Sequence, residues 1–234
     1  MSEADLAKVN AAAAALDYVK DGMVVGLGTG TTSAHFVRLL GERVRQGLRV
    51  KGVPTSEATQ TLAEQEGVPL LSISQVTHLD LDVDGADEAD PHFRLIKGGG
   101  GALLREKIIA AASAHMIVIA DETKAVETLG AFPLPVEVTR FGFALTATRV
   151  FEALKETGCA GEEVKLRVAG KANEPVITDG GNYILDAHAK RIPAPEALAA
   201  ALKEIPGVVE HGLFLGLART LILGKAKGAE VREL

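Results

Sequence analysis

Apolar residues along this chain change rhythm repeatedly. Val24-Val25-Gly26-Leu27 is a short apolar run that ends in Gly28-Thr29-Gly30, and over residues 33–44 the apolar positions return at helical spacing. The exchange recurs. Strands are predicted at 48–53, 68–71, 79–83 and 116–120, with a helix at about 56–65 and another after the run Gly98-Gly99-Gly100-Gly101. Ahead of them, Ser2 with Asp5 reads as a helix start, and the alanine-rich stretch to Lys20 continues it. Strands alternating with helices predict an α/β fold built on a doubly wound, mostly parallel sheet of Rossmann-like type, covered on both faces.

The rhythm differs after about Leu129. A strand entered through Pro133 and Pro135 (133–138) is followed by a helix (144–156) and a strand (164–168). Two short strands (176–178 and 183–185) then flank the hairpin turn Asp179-Gly180-Gly181-Asn182, ahead of a helix (195–204) and a strand (208–211). With the two short arms of the hairpin taken together, the order is β-α-β-β-α-β and predicts a smaller ferredoxin-like α+β domain. Thr220-Leu221-Ile222-Leu223 is expected to return to the first sheet, so residues 1–129 plus 207–234 form the catalytic domain and 130–206 the smaller one.

Composition narrows the function. With 234 residues, 47% hydrophobic and 24% charged, the chain has the make-up of an ordinary globular protein. A net charge of −6 with scattered Lys and Arg offers no footprint for nucleic acid or an anionic membrane, and leaves a small anionic ligand in a local pocket. Cys159 stands alone, which suits a reducing compartment. The start Met1-Ser2-Glu3-Ala4-Asp5 lacks the basic end of a secretory signal, and the apolar stretch 108–120 is too short to span a bilayer. A soluble cytoplasmic protein is expected. Three Asn and four Gln are few, as in thermophile proteins or in products of GC-rich genomes.

Gly26-Leu27-Gly28-Thr29-Gly30-Thr31-Thr32-Ser33 lies between a strand and a helix, where open backbone N–H groups, the helix dipole and the loop's hydroxyls favour an anion such as phosphate. The same segment also fits a tight turn without ligand. A dinucleotide fingerprint fails at Thr31 or Ser33, depending on the starting glycine. The next strand ends in Val50-Lys51-Gly52-Val53-Pro54 with no acid for a ribose hydroxyl, which also argues against a methyltransferase. No Gly-Lys-Ser/Thr follows, so the loop is not a P-loop.

Leu79-Asp80-Leu81-Asp82-Val83-Asp84-Gly85-Ala86-Asp87-Glu88 matches the first half of a calcium loop, but its twelfth position is Pro91. Strand periodicity puts Asp84 and Asp87 at the mouth where open α/β sheets bind ligands, while Asp80, Asp82, Glu88 and Asp90 are expected to be solvated. Lys97-Gly98-Gly99-Gly100-Gly101 running to Arg105-Glu106-Lys107 combines a costly glycine run, a cation and a carboxylate. The lysine suits oxyanion stabilisation and Glu106 suits proton transfer. A flexible loop with a dipole-complementing glutamate is the bland alternative. His35, His78, His92, His115, His188 and His211 show no metal spacing, Cys159 lacks support as a nucleophile, and Lys8 is either a phosphate contact or a solvated side chain.

Gly28-Thr29-Gly30-Thr31-Thr32, Asp84-Gly85-Ala86-Asp87-Glu88, Lys97-Gly98-Gly99-Gly100 through Lys107, and Ile119-Ala120-Asp121-Glu122-Thr123-Lys124 together resemble the signatures of ribose-5-phosphate isomerase, type A. The similarity extends through Phe132-Pro133-Leu134-Pro135-Val136-Glu137-Val138, Thr178-Asp179-Gly180-Gly181-Asn182 and Ile205-Pro206-Gly207-Val208-Val209; Thr31 stands where the family often has Ser. The resemblance implies interconversion of ribose 5-phosphate and ribulose 5-phosphate in the pentose phosphate pathway, without metal or organic cofactor, by a homo-oligomer that is often a dimer. It implies Glu106 as the base working through an enediolate, with Asp84 and Asp87 holding sugar hydroxyls and opening the ring beside Gly85 and Ala86. Lys97 with Gly98, Gly99 and Gly100 would stabilise charge, Thr29, Gly30, Thr31 and Thr32 would line the phosphate side, and Lys124 would be a further contact. A non-catalytic sugar-phosphate sensor and an acyl-CoA transferase-like enzyme using a glutamate nucleophile are the rival readings.

Overall fold

The computed structural model describes residues 2–161 and 163–234. In chain order, α1 (Glu3–Ala15) precedes β1 (Val24–Leu27), α2 (Thr31–Arg45), β2 (Lys51–Pro54), α3 (Glu57–Gln65) and β3 (Leu81–Gly85). Two short strands, β4 (Glu88–Ala89) and β5 (Leu95–Ile96), lead to α4 (Leu103–Ala112) and β6 (Met116–Asp121). There follow β7 (Leu134–Val138), α5 (Phe143–Glu156), β8 (Glu163–Leu166), β9 (Val168–Ala169), β10 (Glu174–Pro175), β11 (Tyr183–His188) and α6 (Pro195–Lys203). The chain closes with β12 (Val208–His211), β13 (Leu213–Phe214), β14 (Ala218–Gly224) and β15 (Ala229–Glu233).

Contacts divide these elements into two compact units. The first comprises the chain up to Ala86, Arg105–Ala125 and Gly216–Leu234; the second comprises Asp87–Leu104 and Val126–Leu215.

The first unit is a six-stranded sheet in the order β15-β14-β6-β3-β1-β2, parallel except for β15 at one edge. Residue alternation separates its two faces. Val25 and Leu27 of β1 join Phe36, Val37 and Leu40 of α2 and Ala11, Ala12 and Ala15 of α1 in one buried cluster; Val24 packs with Ile109 of α4 in another. Helices thus cover both faces, as the doubly wound reading requires. The alanines of α1 allow an unusually close approach, because a Cβ on Gly224 of β14 would lie 1.8 Å from the Ala7 carbonyl oxygen. A capping box between Ser2 and Asp5 starts this helix as the sequence suggests, although it gives way to a single 3-10 turn at Leu16–Tyr18. The strand expected at 68–71 is reduced to one bridge between Leu70 and Gly52.

In the second unit, β7-α5-β8-β11-α6-β12 folds into an antiparallel sheet ordered β12-β7-β11-β8, the ferredoxin-like arrangement. Its core gathers Val136, Val138, Val150, Leu154, Leu185 and Leu198. The expected hairpin over 176–185 is present only as a turn. A lone bridge joins Ile177 to Tyr183, while Glu137 accepts hydrogen bonds from the Thr178 hydroxyl at 2.8 Å and Asn182 Nδ2 at 2.9 Å.

The domain boundaries expected from sequence differ from this division by four residues at 126–129 and, more substantially, in two further segments. Residues 87–104 and 207–215 belong with the second unit, because β5 pairs with both β4 and β13, and Ile96 and Leu213 are buried in that unit's core. Strands of two residues leave almost no periodicity to read.

Candidate active site

Starting from β1, the chain passes to β2 on one side and then to β3 on the other, so the strand order reverses between β1 and β3. Ligands in open α/β sheets bind outside the carboxyl ends of the strands at such a switch point. The loop after β1 and Asp84 at the end of β3 lie there. Asp84 is fully buried, and its Oδ1 accepts the Thr29 N–H at 3.0 Å, the Gly85 N–H at 2.7 Å and the Ser33 hydroxyl at 3.3 Å. Gly28 has to be glycine: a Cβ there would stand 2.1 Å from that same Oδ1. The expected neighbourhood of Thr29, Asp84 and Gly85 is therefore observed.

The Thr29 side chain turns inward. Its Oγ1 lies 2.7 Å from Thr55 Oγ1, 2.8 Å from Ser56 Oγ and 3.3 Å from Thr59 Oγ1. Thr55 and Thr59 in turn donate to the carbonyls of Leu27 and Gly28, each at 3.0 Å, and Ser56 caps α3 by accepting the Thr59 N–H. This hydroxyl lattice was missed in the sequence. Its signal is Thr55-Ser56 at the end of β2 with Thr59 one turn on, next to the glycine loop because β1 and β2 pair in parallel. Gly30 is the N-cap of α2, and no side-chain cap hydrogen bond closes the first turn at Thr31 and Thr32.

Glu106 lies in the first turn of α4 and is only 3% exposed. Three residues on, Ile109 meets β1, where a Cβ on Gly26 would touch Ile109 Cγ2 at 2.5 Å and Asp82 Oδ1 at 2.6 Å. Asp82 therefore points to the face that α4 covers, and the two-residue period puts Asp84 on the same side of β3. As the crossover between the parallel strands β3 and β6, α4 runs against them, which brings its first turn to their carboxyl ends. Glu106 and Asp84 thus share a face and an end of the sheet. Lys124 closes a single 3-10 turn just after β6, again at the carboxyl edge, where Asp121 caps the turn through the Thr123 N–H. Lys8 lies on α1, half-buried.

The second unit carries Asp87 and the glycine run. Pairing of Glu88 with Ile96 in the β4-β5 ribbon sets Asp87 beside Lys97, and Asp87 Oδ2 accepts the Gly99 N–H at 2.7 Å. A Cβ on Gly99 would meet Asp87 Oδ1 at 2.6 Å. Lys97 is 2% exposed, with Nζ 5.4 Å from the Phe214 ring centre and its N–H bonded to the Gly212 carbonyl. Gly99 and Gly100 are exposed.

Three acids depart from the solvated reading. Asp82, Glu88 and Asp90 are buried; Asp80 alone is exposed. Glu88 accepts the N–H groups of Gly130 and Phe132 at 2.7 and 2.5 Å, and Asp90 closes the β4-β5 turn by accepting from His92, Arg94 and the Arg94 guanidinium. Burial pushes the Cys159 thiol above its ordinary value, which does not favour a nucleophilic thiolate. Among the described residues, no group of three or more His, Cys, Asp or Glu is placed to hold a metal ion.

A family model for ribose 5-phosphate isomerase A (phosphoriboisomerase A) matches residues 51–228. The chain belongs to this family. A ribose-5-phosphate isomerase A from Maricaulis maris is 57% identical over 97% of both chains, and one from Rhodopseudomonas palustris strain HaA2 is 57% identical over 100% of this chain and 99% of its own. Among solved structures, the ribose 5-phosphate isomerase A of Methanocaldococcus jannaschii superposes with a TM-score of 0.89 at 40% identity over both entire chains. A D-ribose-5-phosphate isomerase in complex with phospho-erythronic acid reaches 0.91 at 40% identity, again over both entire chains. Against this background the sensor and acyl-CoA transferase readings lose their footing, since ribose-5-phosphate isomerase relatives match this chain end to end.

Proposed function

We propose that Glu106 carries the proton between C2 and C1 when this chain interconverts ribose 5-phosphate and ribulose 5-phosphate. The observation that carries the reading is a buried carboxylate in the first turn of α4, on the face and at the strand ends to which Asp84 also points. In the open aldose, Glu106 removes the C2 proton while negative charge passes to O1; the same carboxyl then returns a proton to C1, and the O2 proton moves to O1. One C–H bond breaks and one forms, so no electron acceptor enters the balance. The reaction needs neither metal nor organic cofactor, and activity that persists in EDTA is expected.

Lys97 and the run Gly98-Gly99-Gly100 hold the developing charge on the oxygens through the lysine and the Gly98 and Gly100 N–H groups, while the Gly99 N–H fixes Asp87 beside them. Asp84 and Asp87, with Gly85 and Ala86 between them, hold sugar hydroxyls and assist ring opening. Gly30, Thr31 and Thr32 grip the phosphate through the start of α2, while Thr29 shapes that grip from within, and Lys124 is a further substrate contact. Phosphate binding energy remote from the reacting carbons serves orientation.

A Glu106→Gln variant tests this directly. It is expected to fold, to bind phospho-erythronic acid, and to lose turnover by about 10²- to 10⁴-fold; near-normal turnover overturns the assignment.

The same reading places the enzyme in the cytoplasm as a homodimer. A single half-buried cysteine suits a reducing compartment, and no helix among the described residues is long and apolar enough to cross a membrane. Phe141 and Leu145, 95% and 78% exposed, are large apolar side chains that a second copy would cover. Sedimentation as a monomer at micromolar concentration contradicts the dimer.

A further inference from the structure

A run of four glycines has no side chains to hold its peptide planes, yet the proposed chemistry needs those planes fixed. The second unit supplies a clamp. Arg167, just beyond β8, donates from one terminal guanidinium nitrogen to the carbonyls of Gly98 at 2.8 Å and Gly99 at 3.1 Å. Its Nε and other terminal nitrogen form a fork with Asp186 of β11, at 2.9 and 2.5 Å. Both side chains are largely withdrawn from solvent, at 15% and 20% exposure. The Arg167 N–H also bonds the Ile184 carbonyl, tying the arginine to the sheet.

In a planar trans peptide the carbonyl and the following N–H point in opposite directions. Holding the Gly98 carbonyl therefore aims the Gly99 N–H away from Arg167, and that N–H is found on Asp87 Oδ2. Holding the Gly99 carbonyl aims the Gly100 N–H the same way. We infer that Arg167, locked by Asp186, is a positioning residue for the isomerisation: it seats the Gly99 N–H on Asp87 and keeps the Gly100 N–H directed at the reacting oxygens. In this role both residues act through the glycine backbone. A planar fork is needed for four such bonds, which a lysine does not provide.

This inference rests on the reading that the glycine run serves the reacting oxygens, so its test carries a control for that reading. For Arg167→Met, Asp186→Asn and Lys97→Met, kcat, KM and the inhibition constants of phospho-erythronic acid and inorganic phosphate are measured. Arg167→Met is expected to lower kcat roughly 10- to 100-fold and to weaken phospho-erythronic acid comparably, with the phosphate constant within about twofold of the parent. Asp186→Asn is expected to give the same split with a smaller loss, and decides the matter where Arg167→Met does not fold. Unchanged kcat in the folded variants, or equal weakening of phosphate, overturns the inference. If Lys97→Met also leaves kcat intact, the reading beneath it falls as well; a kcat loss in Lys97→Met alone overturns only the role of Arg167.

Discussion

The two glycine loops of this enzyme are held by different chemistry. The loop after β1 is fixed by neutral hydroxyls and one buried carboxylate, all within the first unit: Thr55, Ser56 and Thr59 surround the Thr29 hydroxyl, and Asp84 takes the Thr29 N–H. The run at Lys97–Gly101 is fixed by ionic groups of the second unit, with Asp87 on one N–H and the Arg167–Asp186 pair on two carbonyls. A hydroxyl lattice suits the rigid grip on an unchanging phosphate proposed for the first loop. Charged clamps on a glycine backbone suit the role proposed for the second, beside oxygens whose charge changes during reaction, where misplacement is costly.

Substitutions can sharpen or break this contrast. Glu106→Gln sets the scale, with the largest loss expected in kcat. Next comes Gly28→Ala, which forces a methyl into Asp84 Oδ1 and should disorder both Asp84 and the loop proposed to grip phosphate. Steady-state kinetics on the folded variant should find kcat and KM impaired together, by roughly 100-fold in kcat/KM. Lys97→Met removes the cation proposed to face the reacting oxygens, and a kcat loss of about 10²-fold is expected from comparable losses of a charge-stabilising donor. Thr32→Val deletes one hydroxyl from the proposed phosphate side and should raise KM by about tenfold, the worth of one hydrogen bond to a charged group.

Thr59→Val probes the lattice without touching substrate. Loss of its bond to the Gly28 carbonyl should lower stability by about 1–2 kcal/mol in denaturant titration and raise KM a few-fold. An equal fall in kcat for Thr59→Val and Lys97→Met would erase the distinction between the loops.

Much of this organisation is legible in the sequence. The switch-point loop, Asp84, Glu106 and the ferredoxin-like order all follow from local periodicity and glycine placement, because each is set by residues within a few positions of one another. What escapes is non-local or too short to have a period. Arg167 meets Gly98 across 69 positions, with nothing in Leu166-Arg167-Val168 to announce it. The β4-β5 ribbon is built of two-residue strands, which have no period to assign them to the second unit, and Glu88 and Asp90 are held by backbone N–H groups 2 to 44 positions away that local sequence does not reveal. The Thr55-Ser56-Thr59 lattice lay in plain view. Its meaning depended on knowing that β2 lies beside β1.

The division of labour between the loops is tested most directly by measuring kcat and KM for Thr32→Val and Lys97→Met side by side with ribose 5-phosphate. The predicted result is a raised KM with kcat within about threefold for Thr32→Val, and a kcat reduced by about 10²-fold with little change in KM for Lys97→Met. If both substitutions move the same constant by similar factors, the two loops do not divide binding from chemistry and the account is contradicted.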